Sequence, residues 1–435
     1  MMDPTAVASA KRFSNRDIGP EEAYQKSLEM LVSCESGPGF LATTTNRDNY
    51  RRIWGRDSMI IGLASLLTDD AELIDCCRRS LVTLAEHQGP HGEIPSNVDP
   101  TTGRVSYGGT AGRVDANLWF LICLAEYWKA TGDDGLIEQL LPHVERVRWL
   151  LGAWEFNTRG LLYVPPTGDW ADEYVHSGYV LYDQVLYYQA QCGLAELHHH
   201  MHGSADHGLL DSISRLRHLI RKNYWFHDGG DSSDIYHEIL YRKGRQAALR
   251  CEGKYWMPFF SPLGYGYRFD AMANVLVSLF EIADEQRSKE VDRHIASAVS
   301  DPEVLLLPAF CPVITPKDED WADLQMTFSH TFKNAPYEYH NGGLWPLVTG
   351  FYAADLARRG EGDLAAAHLQ ATHNANCLEM EGQAWAFPEY VHGKNLTPGG
   401  TSHMGWSAAA AVIAHQFAQG RQLFESRLDN QCEDQ

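Results

Sequence analysis

The stretch Trp54-Gly-Arg-Asp57, continued by Ser58–Leu67, Thr68-Asp-Asp70 and Ala71–His87, shows the unit from which the fold is built. A polar motif comes first, and a run with apolar residues at helical spacing follows it. A short polar turn then leads the chain into a second helical run. Two helices joined by so short a turn are expected to pack side by side in opposite directions.

The same periodicity recurs along the rest of the chain and predicts about a dozen helices in all. The further ranges are Glu21–Cys34, Asn117–Ala130, Leu136–Leu151, Tyr179–His198, Leu209–Asn223, Ala271–Ile282, Val291–Val299, Leu344–Ala357, Leu364–Cys377 and Trp406–Gln416. No convincing run of alternating residues predicts a strand between them. Short polar turns alternate with long connections rich in Gly, Pro and aromatic residues, and these are His87–Asp115, Phe156–Gly178, Tyr224–Asp270, Leu306–Gly343 and Glu379–Gly405.

Helix pairs with short turns at one end and long connections at the other are typical of an all-α (α/α)6 barrel. The second, fourth and every later even helix would form the inner ring. A polar motif precedes each of these helices: Trp54–Asp57, Gly112–Asp115, Gly168–Tyr174, Tyr267–Asp270, His340–Pro346 and Glu389–Trp406. The motifs recur at intervals of about 60–90 residues, so all six should open onto one face. We expect one barrel domain over residues 20–420, with tails at 1–19 and 421–435.

The composition excludes several classes of function. The chain has 435 residues and a formal net charge of −21, without a cluster of Lys or Arg. Binding to nucleic acid needs clustered cations, so nucleic acid is not an expected partner. The nine cysteines are scattered without a CxxC pair, which predicts reduced thiols in a cytoplasmic protein. We find no signal peptide core and no apolar run long enough for a membrane, while a homo-oligomer stays open.

Two stretches place carboxylates among aromatic side chains. Pro165–Tyr174 sets Asp169, Asp172 and Glu173 around Trp170 in a loop opened by Pro and Gly. An aromatic wall can raise the pKa of a carboxylic acid by desolvation, which suits a general acid. Asp169 and Asp172 compete for that role, since Asp169 could also cap the turn, and the whole stretch could be a solvated turn.

The second stretch, Ala384–Gly393, sets Glu389 among Trp385, Phe387 and Tyr390. Two carboxylates with aromatic walls are what glycoside hydrolysis requires, because one protonates the leaving oxygen while the other activates water or attacks.

Polar residues at the predicted helix starts are candidates for binding a sugar. Asp57 and Asp115 could simply be N-caps, but each follows an arginine by one or two residues. Arg56 and Arg113 with these aspartates would offer charge-assisted hydrogen bonds to hydroxyl groups. Trp345 could be a sugar platform or part of the core. The run His198–His202 is more typical of a solvated helix end than of a metal site, and no metal or organic cofactor is expected.

In their order along the chain, these motifs resemble glycoside hydrolase family 100, the alkaline and neutral invertases, and the related barrels of families 63 and 37. His340–Pro346 is similar to the NGGxWP segment of the family, and Phe387–Lys394 to its WPEYYDG segment. Asn49–Asp57 resembles NYxxVFVRD, and Val114–Trp119 resembles VDSGLWW. Trp170–Asp172 stands where the family has MID, although Glu173-Tyr174 replaces an Arg-Arg pair. The chain also resembles amylo-α-1,6-glucosidase-like proteins.

The resemblance implies an inverting glycosidase with Asp172 as general acid and Glu389 as general base, acting from one end on sucrose or a short α-glucosyl oligosaccharide. The residues expected around the substrate are Tyr50, Trp54, Arg56, Asp57, Asn97, Asp115, Trp170, Gln184, His340, Asn341, Trp345, Trp385 and Tyr390. One alternative is a debranching type of α-1,6-glucosidase. Another is a sugar epimerase or isomerase using His340, His392 and His403, and a third is a sugar-binding protein without catalysis.

Overall fold

The computed structural model describes residues 13, 18–226, 235–251, 253–327 and 331–425. Most of the remaining residues belong to the predicted tails at 1–19 and 421–435, so those parts of the tails lie outside the described residues. The helices are α1 (Pro20–Ser33), α2 (Asp57–Leu66), α3 (Ala71–Glu86), α4 (Asp115–Thr131), α5 (Asp134–Trp154), α6 (Leu181–His202), α7 (His207–Tyr224), α8 (Glu238–Ala248), α9 (Ala271–Leu279), α10 (Glu285–His294), α11 (Trp321–Gln325), α12 (Pro346–Arg358), α13 (Gly362–Asn376) and α14 (Gly405–Ala418).

Six of these helices close a ring. α2 packs on α4, α4 on α6, α6 on α9, α9 on α12, α12 on α14, and α14 returns to α2. Every residue of α2 and of α9 is buried, as expected for helices that are apolar on all sides. The outer helices carry one apolar face each, as in α3 and α7. The predicted (α/α)6 barrel is therefore confirmed.

Polar side chains near the start of four inner helices fix the connections to the barrel. The side chains of Asn117 and Asn274 accept hydrogen bonds from the backbone of Ile94 and Trp256. Gln184 and Thr349 accept them from Leu162 and Leu307 in the same way. Because buried backbone groups need partners, these bonds hold irregular loops against the ends of regular helices.

Short strands join the long connections into a second ring above the inner helices. The strands are β1 (Ile53–Trp54), β2 (Asn97–Val98), β3 (Val105–Ser106), β4 (Tyr179–Val180), β5 (Phe259–Ser261), β6 (Gly264–Tyr265), β7 (Phe269–Asp270), β8 (Phe310–Cys311), β9 (Tyr390–Val391) and β10 (Pro398–Gly399). The antiparallel sheets are β1-β2-β3, β4-β5-β6, β7-β8 and β9-β10. Single bridges link Thr43 to Met404 and Leu344 to Val391. The connections that precede the inner helices therefore meet at one end of the barrel.

Several details differ from the sequence expectations. Strands of two or three residues are too short for a periodic pattern to reveal. α8 and α11 lie inside predicted loops, and α8 buries only Gly244 and Ala248. α10 starts earlier than predicted and continues as a π-helical turn over Ile295–Val299. In the predicted tails, Phe13 and Phe424 are buried, so both pack on the barrel.

Candidate active site

Glu389 lies in the last long connection, directly before β9, and its side chain is held at both oxygens. Oε1 accepts a hydrogen bond of 3.0 Å from the Tyr50 hydroxyl, and Oε2 accepts one of 3.0 Å from the Thr401 backbone amide. The residue is 3% exposed. Burial raises the pKa of Glu389, while Lys333, the Thr401 amide and the Tyr50 hydroxyl oppose the rise. The carboxyl is thus rigid, buried and still paired with groups that favour its ionised form.

Gly400 sets how closely the chain passes this carboxyl. Its φ of +75° lies in the left-handed region, and a Cβ atom there would collide with Oε2 of Glu389. Glycine is therefore required at this position by both the backbone and the neighbouring oxygen.

Lys333 is a site residue that the sequence patterns did not single out. Its Nζ lies 6.0 Å from the ring centroid of Tyr50 and 5.1 Å from that of Tyr339. Both distances are within the range of cation–π attraction. A single lysine in an aromatic loop carries no motif, so only the folded arrangement places its charge beside Glu389.

The loop before α6 separates the roles of its two aspartates. Asp169 is fully buried, and its Oδ1 accepts the backbone amide of Ala171 at 2.9 Å. Its Oδ2 lies 2.6 Å from Nε2 of His176. Both oxygens therefore serve to hold the loop in shape.

Asp172 faces the centre instead. Its Oδ2 accepts a hydrogen bond of 2.7 Å from Arg113, and its side chain keeps 26% of its surface exposed. Its Oδ1 has no hydrogen-bond partner among the described residues. Burial raises the pKa of Tyr50 well above the ordinary value, and the charges of Glu389 and then Asp172 raise it further. Asp172 and Glu389, which belong to two different loops, thus both raise the pKa of the Tyr50 hydroxyl.

Arg56 joins the starts of two inner helices. Its Nη1 donates to Oδ2 of Asp115 at 2.9 Å, and its Nε lies 3.5 Å from Oδ2 of Asp57. Its guanidinium also lies 5.3 Å from the ring centroid of Trp406. Burial raises the pKa of Asp57 to about 6, although Arg56 opposes the rise.

Some polar atoms of these residues make no hydrogen bond. Oδ1 of Asp115 is buried without a hydrogen-bond partner among the described residues, and Nε of Arg56 and Oδ2 of Asp57 have only the 3.5 Å ion pair that they form with each other. Leaving such atoms unsatisfied costs about 1–3 kcal/mol each. A ligand rich in hydroxyl groups would satisfy donors and acceptors of this kind.

Aromatic side chains pack behind the carboxyls. Trp345 is fully buried, donates from Nε1 to the Tyr339 carbonyl, and stacks on His340 at 5.1 Å and 6°. Trp170 lies 5.3 Å from Trp345 with its indole Nε1 unpartnered among the described residues. Tyr390 lies 6.1 Å from Trp345. Trp345 is therefore a support for the wall, and the partly buried Tyr390 lies in front of it.

Two of the predicted substrate ligands hydrogen-bond to backbone groups of neighbouring loops. Gln184 is fully buried, and its amide bonds both the N–H and the carbonyl of Leu162 at 2.9 Å. Asn341 bonds the N–H and the carbonyl of Ile314 in the same manner. With their amide groups bonded in this way, both residues hold loops in place, and their contact with a substrate stays a prediction.

Three further predicted residues make contacts with neighbouring side chains and backbone. Asn97 accepts a hydrogen bond of 3.0 Å from Arg52. Trp54 donates to the Asn49 carbonyl, and its ring lies 6.2 Å from that of Tyr50. Trp385 is partly buried, and its ring lies 6.0 Å from that of Phe387. Their contact with a substrate stays a prediction.

The histidines are dispersed. His340 is buried, which lowers its pKa well below the ordinary value and leaves it neutral. Nδ1 of His392 accepts two backbone amides of its own turn, and Nδ1 of His403 lies 3.3 Å from Thr45. His200, in the histidine run, contacts Asp134. Within the described part of the chain, no group of His, Cys, Asp and Glu is arranged to hold a metal ion.

Two further observations concern the chain as a whole. Six of the cysteines that the structure describes are free thiols, namely Cys34, Cys76, Cys77, Cys123, Cys251 and Cys311, and Cys432 lies outside the described residues. Among the described helices, none combines the length and the apolar character that a membrane crossing requires. The cytoplasmic location stays a prediction.

The resemblance drawn from the motifs is confirmed by comparison with known proteins. Residues 231–420 match the family described as alkaline and neutral invertase, and residues 27–163 match the family described as amylo-α-1,6-glucosidase. A probable chloroplastic alkaline/neutral invertase A of Arabidopsis thaliana is 23% identical over 93% of this chain and 71% of its own. The chloroplastic neutral/alkaline invertase 3 of Oryza sativa subsp. japonica is 23% identical over 91% of this chain and 73% of its own.

Solved structures share the fold. A bacterial glucoamylase complexed with acarbose superposes with a TM-score of 0.64 at 14% identity, covering 93% of this chain and 56% of that protein. A GH63 mannosylglycerate hydrolase of Thermus thermophilus in complex with Tris superposes with a TM-score of 0.62 at 16% identity, covering 89% and 99% of the two chains. Both support the (α/α)6 architecture.

Proposed function

We propose that this chain, a glycoside hydrolase, is an inverting enzyme that removes the terminal sugar of a small α-glucoside, with Asp172 as general acid and Glu389 as general base. The main support for the proposal is the position of the Tyr50 hydroxyl relative to the two carboxyls. Its hydroxyl binds Glu389 directly, and the charge of Asp172 also acts on it. Hydrolysis of a glycosidic bond requires two carboxyls on either side of that bond, and the common neighbour Tyr50 supports the view that Asp172 and Glu389 border one space.

The reaction assigns one bond change to each carboxyl. Asp172 gives its proton to the glycosidic oxygen as the bond from that oxygen to the anomeric carbon breaks. Glu389 takes a proton from a water molecule, whose oxygen bonds to the opposite face of the same carbon. A base works best with a pKa near the working pH, and burial moves the pKa of Glu389 in that direction.

The choice of Asp172 over Asp169 follows from their contacts. Both oxygens of Asp169 are taken by Ala171 and His176, whereas Oδ1 of Asp172 is uncommitted among the described residues. Arg113 would hold Asp172 in the orientation for proton transfer, since it binds the other oxygen.

Oδ1 of Asp115, together with Nε of Arg56 and Oδ2 of Asp57, which share only a long ion pair, would bind hydroxyl groups of the terminal sugar. The ionised and neutral groups of these side chains supply both donors and acceptors, and hydrogen bonds to charged groups are the stronger ones. A site enclosed by the connections of six inner helices suits a short substrate attacked from its end.

The relatives favour an α-glucoside as substrate. The matched proteins are named invertases, and sucrose is therefore our first candidate. The match of residues 27–163 to amylo-α-1,6-glucosidase makes an α-1,6-linked glucoside the second candidate. No contact among the described residues favours the isomerase alternative, because His340, His392 and His403 engage different neighbours.

The test is proton NMR of the anomeric signals during reaction with sucrose, trehalose, isomaltose, maltose, kojibiose and glucosylglycerate. Release of β-glucose first from one α-linked member supports hydrolysis with inversion and identifies the linkage. Release of α-glucose first would contradict inversion and make Glu389 a nucleophile. A monosaccharide that changes configuration while every disaccharide stays intact would overturn the hydrolase assignment in favour of an isomerase.

A further inference from the structure

A cavity lies beside the loop that carries the proposed acid. It has a volume of about 130 Å³, and its wall includes Tyr174, Val175, His176, Phe259, Tyr265 and Arg268. The space is therefore large enough to hold ordered water or a small ligand. None of the residues assigned above to the reaction lines it.

Aromatic rings separate this cavity from the catalytic carboxyls. Tyr174 stacks on Phe310 at 4.2 Å and 16°, and Trp170 lies 6.2 Å from Phe310 with its ring inclined by 22°. Trp170 in turn packs toward Trp345 of the active-site wall. The cavity and the active site are therefore two spaces divided by a layer of packed rings.

The cavity wall contains buried polar atoms without partners. Tyr174, His176 and Arg268 are 3%, 5% and 7% exposed. The Tyr174 hydroxyl, Nδ1 of His176 and Nε of Arg268 make no hydrogen bond to the described residues. Three such groups around one small space are costly unless something in that space bonds to them.

The charges of the cavity are already balanced. Arg268 forms an ion pair with Asp320, and its guanidinium lies 5.0 Å from the ring centroid of Tyr267. His176 is paired with Asp169 through its other ring nitrogen. An ion would leave one sign in excess, whereas a neutral molecule with hydroxyl groups can both donate to and accept from these side chains.

We propose that this cavity, which we call the rear pocket, is a second binding site that takes a small neutral polyol. Phe259, Phe310 and Tyr265 supply the apolar walls against which the C–H groups of a polyol pack. The Tyr174 hydroxyl, the Nδ1 atom of His176 and the guanidinium of Arg268 bind its hydroxyl groups. The site is independent of the reaction proposed above, and its occupant need not be the substrate.

The test uses erythritol as the probe and saturation-transfer NMR on the full-length protein. We expect saturable binding in the millimolar range, because so few heavy atoms supply limited binding energy. Val175→Phe fills the pocket and should abolish the signal. Tyr174→Phe removes one hydrogen bond and should weaken binding about three- to tenfold. Tyr163→Phe, on a partly buried tyrosine outside the pocket, is the matched control and should bind as the wild type does.

Glu389→Gln distinguishes the two sites. If the rear pocket binds the probe, Glu389→Gln retains erythritol binding although hydrolysis is lost, and folded Val175→Phe still hydrolyses the substrate. Binding that disappears in Glu389→Gln and persists in Val175→Phe would place the polyol in the active site and overturn the proposal. Absence of saturable binding to the wild type, or unchanged affinity in folded Tyr174→Phe and Val175→Phe, would overturn it too.

Discussion

The hydroxyl of Tyr50 donates to Oε1 of Glu389 at 3.0 Å, and this bond joins the segment between α1 and α2 to the last long connection of the barrel. Tyr50 stands 339 positions before its partner in the chain. Its pKa is raised well above the ordinary value by burial and by the nearby carboxylates, so the hydroxyl keeps its proton and acts as a donor. The bond therefore favours the ionised form of Glu389.

Tyr50→Phe should move the acidic side of the pH profile to higher pH. Glu389 must be ionised to act as a base, so activity rises as the pH increases through its pKa. Loss of the donated bond raises that pKa further, and at acidic pH kcat/KM should fall about tenfold, the value of a hydrogen bond to a charged group of about 1.5 kcal/mol. Lys333→Met should act in the same direction, because Lys333 is the strongest of the groups that lower the pKa of Glu389.

The measurement is kcat/KM against pH, which reports the ionisation of the free enzyme. Tyr163→Phe serves as the control and should leave the profile in place. If both Tyr50→Phe and Lys333→Met reduced activity equally at every pH, neither residue would act through the ionisation of Glu389.

The activity lost on replacing Asp172 should depend on the leaving group of the substrate, whereas the activity lost on replacing Glu389 should not. Asp172→Asn should lower kcat on a disaccharide by at least about a hundredfold, the usual contribution of general acid catalysis. Hydrolysis of α-glucosyl fluoride should be reduced far less, since fluoride leaves without a proton. Glu389→Gln should abolish both reactions, because the water still needs a base.

Asp169→Asn is the control for this pair. Its contacts with Ala171 and His176 shape the loop, so the substitution should lower the melting temperature and reduce both reactions alike. An Asp169→Asn enzyme that kept its activity on the fluoride alone would instead make Asp169 the acid.

The sequence predicts the barrel well and the site unevenly, for a physical reason. Helix periodicity and turn length are local properties, so the ring of inner helices could be foreseen. The polar residues at the helix starts all looked equivalent in sequence. Gln184 and Asn341 bond to backbone groups, while Asp57 and Asp115 each keep an oxygen that makes no hydrogen bond to the described residues. Only tertiary contacts separate these cases.

Residues without a motif could not be found from one sequence. Lys333 and Tyr339 belong to a long connection, and their place beside Glu389 depends on how that connection folds across the barrel. The short strands were missed for the same reason, because a strand of two residues forms only where another part of the chain pairs with it. Patterns along the chain indicate which end of the barrel carries the candidate site. They do not indicate which polar atoms there are available to bind a substrate.

Gly400→Ala should inactivate the enzyme by moving Glu389. A methyl group at this position would collide with Oε2 of Glu389, and the positive φ adds strain. We expect kcat to fall by at least about tenfold, as a displacement of about 1 Å can cost a hundredfold. Kinetics together with thermal denaturation would measure the two effects separately.

Gly382→Ala is the matched control. Gly382 has a φ of +80°, but nothing among the described residues lies within 4 Å of its added Cβ atom. It should therefore show the backbone cost of about 1 kcal/mol without loss of kcat. Equal losses of kcat in the two variants would mean that the contact with Glu389 is irrelevant to catalysis.

Asp270→Asn should stabilise the protein, and the gain should grow with pH. Burial raises the pKa of Asp270 from 3.8 to about 7, so the folded state holds a proton that the unfolded chain has released. The wild type therefore loses stability as the pH rises from about 4 to about 7. An Asn side chain can still accept the bond from Ala273 and cannot ionise. At about 1.4 kcal/mol per pH unit, the gain is about 4 kcal/mol at most and levels off above pH 7.

Chemical denaturation at pH 4.5 and pH 8 measures this difference. Asp70→Asn is the control, because Asp70 caps α3 through the same kind of bond at an exposed position. Its effect should be small and similar at both pH values. A pH-independent effect of Asp270→Asn would show that the wild-type carboxyl ionises equally in the folded and unfolded states. The carboxyl would then contribute nothing to the pH dependence of stability.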